Sequence, residues 1–105
     1  WAKVGDDELG AMVKKQLEAH GLGEGLICDR ASSTSYSVVL AVPGIDRVFL
    51  HDPGANDTYS SDDMRGLALD GVDLFHFGYP PVMKRMYQDE GKELADIFCS
   101  MIWLP

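Results

Sequence analysis

The segment STSYSVVLAVPGIDRVFLHDPGAN, residues 33–56, decides the fold because its pattern predicts a β-hairpin. The first arm, 34–42, is rich in β-branched and aromatic residues, and the second, 47–52, alternates polar with apolar residues. Between them lies PGID, 43–46, a turn sequence in which proline presets φ, glycine accepts a positive φ and aspartate can bond its own backbone. We therefore predict two strands joined by a tight turn.

Alternate side chains of a strand point to opposite faces, so the hairpin has two faces of different character. One face is mixed and carries Ser35, Ser37 and Val39 from the first arm and Arg47, Phe49 and His51 from the second. On the second arm the other face carries Val48 and Leu50. A mixed face suits a cover over a small polar ligand. The alternative is that the hairpin is simply half of a sandwich core.

Length and charge limit the function. The chain has 105 residues, enough for one domain with a modest core. Its net charge of −8 argues against binding nucleic acid or an anionic membrane by general electrostatics. A phosphorylated metabolite needs only a local site and is not excluded. No run approaches the roughly 18 apolar residues of a membrane span, and no signal peptide is recognisable.

The two cysteines, Cys28 and Cys99, lie far apart and neither belongs to a C-x-x-C pair. We expect reduced, buried thiols in a cytoplasmic protein. His20, His51 and His76 are not at zinc-ligand spacing from them, so no metal site is expected. The start at Trp1 and the apolar end lead us to expect a piece of something longer.

Before the hairpin, the sequence predicts a strand, a helix and a second strand. Residues 2–4 end the first strand, Asp6 or Asp7 caps the helix, and Gly21 follows its end. One buried helical stripe is predicted at Leu9, Met12, Val13 and Leu17. Gly10 lies inside the first turns, where a glycine usually marks close backbone approach. A short buried strand, 25–28, leads to the hairpin.

After the hairpin, Ser60 or Ser61 is expected to cap a short helix. Its apolar side is predicted at Met64, Leu67 and Leu69. Residues 72–79 predict a strand covered on both faces, with His76 buried and hydrogen-bonded in it. A helix is predicted from 83 to about 101, interrupted at Gly91. Its buried side is expected to consist of Met83, Met86, Tyr87, Leu94, Ile97, Phe98 and Met101.

Strands that alternate with helices predict an α/β layer with a parallel sheet. In such sheets ligands bind at the carboxyl ends of strands. The segments 5–7 and 78–79 are predicted to lie at such ends.

Several stretches together resemble the ribokinase-like carbohydrate kinases, the PfkB family. These are Val4-Gly5-Asp6-Asp7 with Gly10, Ser33-Thr34, Asp52-Pro53-Gly54-Ala55-Asn56 and Phe75-His76-Phe77-Gly78-Tyr79. The resemblance covers roughly residues 2 to 98 and implies a Rossmann-like α/β/α fold with a small β-sheet lid over the sugar. The chain would be a single partial domain, with its α/β body at 1–32 and 57–105 and its lid hairpin at 33–56.

The resemblance also implies roles on the sugar side. Ser37, Val39 and His51 match positions that cover the sugar, and Tyr79 matches a strand-end position beside it. Asn56 matches the asparagine of G-A-N, which is expected to tie the base of the hairpin more than to touch substrate. The family's D-T-x-G-A-G-D signature, which carries the catalytic base and anion hole, is not in this sequence. ATP and Mg²⁺ are implied for the family, but the segments that bind them are not present in these 105 residues.

Each of these residues also has an ordinary structural interpretation. His51 could be a surface or packing residue, and Tyr79 a core aromatic. Arg47 could bind a substrate phosphate, although pairing with Asp46 or Asp52 is the simpler expectation. The acidic run 6–8 is expected to cap a helix, since three successive acids cannot converge on one ion. The Met83, Met86 and Met101 side chains are expected to pack in a core.

The function expected from the resemblance is part of an ATP-dependent sugar kinase, without phosphotransfer by this chain alone. The alternative is a non-catalytic domain that forms a homodimer through its lid hairpin, whose open strand edges would seek a partner. A free-standing sugar-binding module is a third possibility. The sequence names no particular sugar.

Overall fold

The computed structural model describes residues 1–65 and 69–102, and the chain divides into two compact units, residues 1–56 and 57–105. Helices occur together with one parallel and one antiparallel strand pair. The α/β class predicted from the sequence is therefore confirmed.

The first unit begins with a β-α-β motif. Strand β1, Ala2–Gly5, pairs in parallel with β2, Leu26–Asp29, and helix α1, Glu8–Ala19, connects them. A 3₁₀ turn, Gly23–Gly25, precedes β2. Asp7 is the N-cap of α1, as predicted, and accepts the backbone N–H of Gly10 at 2.8 Å.

The predicted buried stripe of α1 is wrong for this chain. Leu9 and Val13 are exposed, and Met12 is 64% exposed. The physical reason is the width of the sheet, because two short strands offer too little surface to cover the flank of a helix. Gly10 is the one buried residue of α1, and a Cβ there would collide with the carbonyl oxygen of Gly5. This is the close backbone approach expected from its glycine.

The hairpin follows as β3, Tyr36–Leu40, and β4, Val48–Asp52, paired antiparallel. The turn between them is closed by a hydrogen bond from the Ile45 N–H to the Val42 carbonyl, 3.3 Å between N and O. Gly44 takes a φ of +85°. Both the hairpin and the use of its glycine are confirmed, although the strands are shorter than predicted.

The second unit is built from short helices. The α-helices are α2, Lys84–Tyr87, and α3, Lys92–Ile102. The 3₁₀ turns are Gly54–Thr58 at the junction of the units, Ser61–Met64, Pro80–Val82 and Asp89–Gly91. The core consists of Tyr59, Met64, Met83, Met86 and Ile97. Core packing of Met83 and Met86 is thus confirmed, while the Met101 side chain lies outside what the structure describes.

The predicted strand at 72–79 is wrong. These residues form no β-ladder, Leu74 is 86% exposed, and His76 is exposed rather than buried. A strand needs a neighbour to take its backbone hydrogen bonds, and residues 57–65 and 69–102 contain no other strand. The apolar pattern here serves aromatic packing instead, because the Phe77 ring lies 6.2 Å from that of Phe98 and 6.5 Å from that of Tyr59.

The long helix predicted from 83 to 101 is broken in two. Asp89, Glu90 and Gly91 all have positive φ, at 49°, 58° and 76°, so the chain turns between α2 and α3. Tyr87 and Phe98, predicted as buried, are exposed. Leu67, predicted on the apolar side of the short helix, lies outside the described residues.

Ser60 caps the turn Ser61–Met64, which confirms one of the two predicted caps. Its N–H donates to Asp63 Oδ2 at 2.9 Å. The N–H of Ser61 donates to Glu93 Oε2 at 2.8 Å. This hydrogen bond is the main reason why the pKa of Glu93 is lowered. A carboxylate on α3 thereby fixes the start of a turn that lies 32 residues earlier.

Candidate functional site

The mixed face of the hairpin, defined as Ser37, Val39, Arg47, Phe49 and His51, holds the principal candidate site. Ser37 lies opposite His51 in the antiparallel register, and Val39 lies opposite Phe49. The Ser37 Oγ and His51 Nδ1 atoms are 2.8 Å apart, a hydrogen bond on an exposed surface. The shared face predicted from alternation is therefore confirmed, and the serine and histidine form one polar pair.

The chemistry of this pair depends on the imidazole tautomer. If Ser37 donates to Nδ1, the other ring nitrogen of His51 carries a proton and is a donor. If Nδ1–H donates to Ser37, the hydroxyl proton is free for another acceptor, and the other ring nitrogen accepts. Either arrangement can hydrogen-bond a sugar hydroxyl, which both donates and accepts.

Arg47 belongs to the same face. Its guanidinium carbon lies 5.3 Å from the centroid of the Phe49 ring, a cation–π contact. The expected ion pair with Asp46 or Asp52 is not formed in the described residues. Asp46 Oδ1 instead accepts the backbone N–H of Arg47 at 2.8 Å, and Asp52 Oδ1 accepts that of Gly54 at 3.0 Å.

The opposite face of the hairpin, called here the apolar face, is formed by Tyr36, Val38, Leu40, Val48 and Leu50. All of these side chains are exposed. The side chains of the mixed face are exposed as well. Among the described residues neither face is covered by a second layer, so the sandwich-core alternative is not seen there.

Thr34 anchors the start of the hairpin to the β-α-β motif. Its N–H donates to Asp7 Oδ2 at 2.7 Å and its hydroxyl donates to Asp7 Oδ1 at 2.5 Å. The same hydroxyl oxygen accepts the N–H of Gly5 at 2.9 Å. These hydrogen bonds, first that of the Thr34 hydroxyl, hold the pKa of Asp7 below its usual value.

This arrangement decides between the two interpretations of the acidic run. Asp7 is fully used as cap and anchor, and the Asp6 carboxylate lies 3.6 Å from the exposed Arg30 side chain. Among residues 1–65 and 69–102 no group of three potential ligands could hold a metal ion. The hydrogen bond from the Gly10 N–H to Asp7 confirms the predicted capping role of Asp7.

The foot of the hairpin is closed by the PGAN sequence, residues 53–56. The Ala55 N–H donates to the Ser33 carbonyl at 2.7 Å, and Asn56 Nδ2 donates to Ser35 Oγ at 3.0 Å. Gly54 has a φ of +45° and lies directly on the Ser33–Ser35 backbone, so that a Cβ would be only 2.9 Å from the Ser35 nitrogen. Asn56 thus ties the hairpin base, as predicted.

The structure does not give Tyr79 the strand end that was predicted for it. Tyr79 lies in the second unit, is 67% exposed and precedes a 3₁₀ turn. Sequence reasoning placed Ser37, Val39 and His51 on one face but missed Thr34 as the partner of Asp7. No local pattern could have found this contact, because its two residues are 27 positions apart.

The cysteines differ from expectation in one respect. Cys28 and Cys99 are both free, as expected, but both are exposed rather than buried. Among the described residues the strand that carries Cys28, β2, pairs with β1 alone. In the part of the chain that the structure describes, no helix is sufficiently long and apolar to cross a membrane.

Comparison with known proteins gives one result, at the level of the fold. No family model matches the chain. No curated protein matches it either. A solved structure titled "Crystal Structure of Sa239" is similar, with 16% sequence identity and a TM-score of 0.50 over 58% of this chain. This chain spans 20% of the length of that protein, and at this identity the likeness concerns the α/β fold alone.

Proposed function

We propose that this chain is the sugar-side part of an ATP-dependent carbohydrate kinase of the ribokinase-like family. The observation that carries the proposal is the mixed face of the hairpin, where the Ser37–His51 pair lies beside Val39 and Phe49. The VGDD and PGAN stretches, on which the family resemblance rests, support it because both fix the hairpin to its base.

The composition of the mixed face suits a sugar. A sugar presents hydroxyl groups that exchange hydrogen bonds and C–H faces that pack on apolar surface. The Ser37–His51 pair supplies the first kind of contact, and Val39 with the Phe49 ring supplies the second. A two-stranded flap of this kind can cover a bound sugar and exclude water, which prevents loss of phosphate to solvent.

We propose further that the chain alone does not transfer phosphate. Transfer to an alcohol needs a general base for the hydroxyl proton and groups that stabilise charge on the phosphoryl oxygens. The D-T-x-G-A-G-D motif, which carries the catalytic base and anion hole of the family, is not in the sequence. In this proposal ATP and Mg²⁺ bind to parts of a kinase outside these 105 residues.

The two free thiols suit a reducing compartment, so we place the protein in the cytoplasm.

Two measurements test the proposal. Purified chain incubated with ATP, magnesium and a panel of pentoses and hexoses should form no sugar phosphate, and turnover above a protein-free blank would contradict the claim of inactivity. Amide NMR titration with ribose and fructose should shift resonances of 37–51, and Ser37→Ala should weaken this response. Ser100→Ala, at a serine on α3 that donates to its own helix, is the matched control. If neither sugar shifts the hairpin, the sugar-side function is wrong.

The hairpin also favours a second function, self-association. In the part of the chain that the structure describes, no third strand pairs with it, so its outer edges can accept another strand, and the side chains of its apolar face are exposed. A second copy of this chain could cover both features, because a two-fold axis brings identical apolar surfaces together. Light scattering should then give an average mass that rises with protein concentration and approaches the mass of a dimer. A monomer mass at the highest attainable concentration would exclude this alternative.

A further inference from the structure

We infer that residues 84–102 have a second conformation, a single continuous helix, and that the contact between Ser61 and Glu93 holds the chain in the kinked form seen in the structure. The inference concerns the second unit and does not depend on the proposed sugar-side function. Its basis is the turn Asp89–Gly91, called here the left-handed turn, which separates α2 from α3.

The left-handed turn is strained. Among the described residues 1–65 and 69–102, Asp89 and Glu90 are the only residues other than glycine that have a positive φ. A residue with a Cβ adopts this region at a cost, and it persists there only where the surrounding structure holds it. The kink is thus a conformation that the local backbone opposes, and contacts elsewhere in the second unit have to maintain it.

The local sequence favours a continuous helix. The segments KRMYQDE, 84–90, and KELA, 92–95, consist mainly of good helix formers, and only Gly91 interrupts them. In the structure the Gly91 N–H donates to the Gln88 carbonyl at 2.9 Å. In a continuous helix the same N–H would donate to the carbonyl of Tyr87, four residues back. Straightening therefore exchanges this hydrogen bond for a helical one and relieves the strain at Asp89 and Glu90.

Two sets of contacts maintain the kink. Met86 of α2 and Ile97 of α3 are both buried in the core of the second unit. Along a straight helix they would be about 16 Å apart, so they would no longer share this small core. The other contact is polar, because the Ser61 N–H donates to Glu93 Oε2 at 2.8 Å and fixes the start of α3 to the turn Ser61–Met64.

A continuous helix would present a different apolar surface. In the kinked form Tyr87 and Phe98 are exposed on separate helices. If the helical spacing ran through the turn, Tyr87 would lie on one side of the helix with Leu94 and Phe98, at positions i, i+7 and i+11. Straightening would thus open the core around Met86 and assemble an exposed apolar stripe.

The test measures the distance between residues 84 and 99 by pulsed dipolar spectroscopy. Spin labels are placed on the native Cys99 and on Lys84→Cys, in a 105-residue chain that also carries Cys28→Ser. Positions 84 and 99 are both exposed. A continuous helix separates their Cα atoms by about 22 Å. The kinked form brings them closer, because α2 and α3 are in contact.

Gly91→Ala is the principal variant. An added Cβ would meet only the Met86 carbonyl oxygen, at 3.7 Å, so the substitution acts through the φ of +76° and not through a collision. Because alanine disfavours positive φ and favours a helix, the share of the longer distance should rise at least about tenfold. The matched control is Gly71→Ala, at a glycine of the same unit with a φ of +77° and open space around it, which should leave the distances unchanged.

Two further variants test the Ser61–Glu93 contact. Glu93→Ala removes the acceptor and should also raise the share of the longer distance. Glu93→Gln keeps an oxygen that can accept the Ser61 N–H and should raise it less, since the bond is then no longer charge-assisted. An unchanged distance in Glu93→Ala would refute the role of this contact.

Circular dichroism separates straightening from unfolding, because straightening raises the helical signal and unfolding lowers it. A short distance alone in Gly91→Ala would refute the second conformation. A broad distribution of distances together with a weaker helical signal would refute it as well, because the second unit would then unfold instead of forming a continuous helix.

Discussion

Asp7 and Thr34 lie 27 residues apart, yet one carboxylate accepts both the backbone N–H and the hydroxyl of the threonine. The same hydroxyl oxygen accepts the Gly5 N–H, and Asp7 also accepts the N–H of Gly10. Thr34 is 4% exposed. This small network therefore joins the end of β1, the start of α1 and the start of the hairpin.

Replacement of the buried hydroxyl should be costly. In Thr34→Val the shape is kept, but the Gly5 N–H loses its acceptor and is left buried and unpaired. We expect the free energy of unfolding of the first unit to fall by about 2 kcal/mol. Urea denaturation followed by the amide signals of 2–56 measures it. Thr34→Ser keeps the hydroxyl and should lose at most about 1 kcal/mol; equal losses in both variants would show that the hydroxyl does not matter.

The same network predicts a pH dependence. Because hydrogen bonds from Thr34 and Gly10 lower the pKa of Asp7 in the folded chain, its stabilising effect is complete above the unfolded pKa, about 4. That effect is lost as pH falls through the lower, folded value. The stability difference between wild type and Asp7→Asn should thus be largest near neutral pH and shrink below about pH 4. Urea midpoints from pH 7 to 2.5 test this prediction, with the exposed Asp73→Asn as control. A difference that grows toward low pH would contradict it.

Two glycines of the hairpin allow the cost of backbone strain to be measured apart from the cost of a steric collision. Gly44 at the tip and Gly54 at the foot both have positive φ, which costs an alanine about 1 to 2 kcal/mol. A Cβ at Gly44 meets nothing within 4 Å, whereas at Gly54 it meets the Ser33–Ser35 backbone. Gly54→Ala should therefore destabilise the first unit by about 2 kcal/mol more than Gly44→Ala. Thermal unfolding of the two variants side by side measures this, and equal melting temperatures would contradict it.

Self-association through the apolar face predicts a clear asymmetry between the two faces. Leu50→Lys places a charge in the centre of the apolar face, opposite Val38, and should shift the dimer to monomer. Val39→Lys places the same charge on the mixed face and should leave the dimer intact. Both residues are about half exposed, so neither substitution breaks a packed core. Sedimentation of both variants measures the masses; a monomer in both cases would show that the interface is not confined to the apolar face.

Sequence patterns predicted local structure well. The hairpin, its turn glycine, the Asp7 cap and the shared face of Ser37 and His51 were all found from spacing and residue type, because each depends on neighbours a few positions away or on simple alternation. The patterns failed where burial depends on a partner. Met12 has the right spacing for a core but no surface to cover it, and residues 72–79 have the right composition for a strand but no strand beside them.

For the candidate site, strand alternation predicted which residues share the mixed face, and the PGAN motif predicted that Asn56 ties the base of the hairpin. The sequence could not show that Arg47 packs on Phe49 instead of pairing with Asp46. Both partners are close in sequence, and which of them the guanidinium contacts depends on side-chain geometry. The Thr34–Asp7 contact was also out of reach, since it joins two segments through space.

The closed foot of the hairpin has a consequence for how its length can change. Ser33 and Ala55 are held together at the base, while a Cβ added at Gly44 in the turn would meet no atom within 4 Å. Extra residues inserted at 43–46 would then lengthen only the tip. The entropic penalty for such a longer loop grows slowly, by about 0.6 kcal/mol for each doubling. The length of the hairpin can thus change while its attachment to the first unit stays the same.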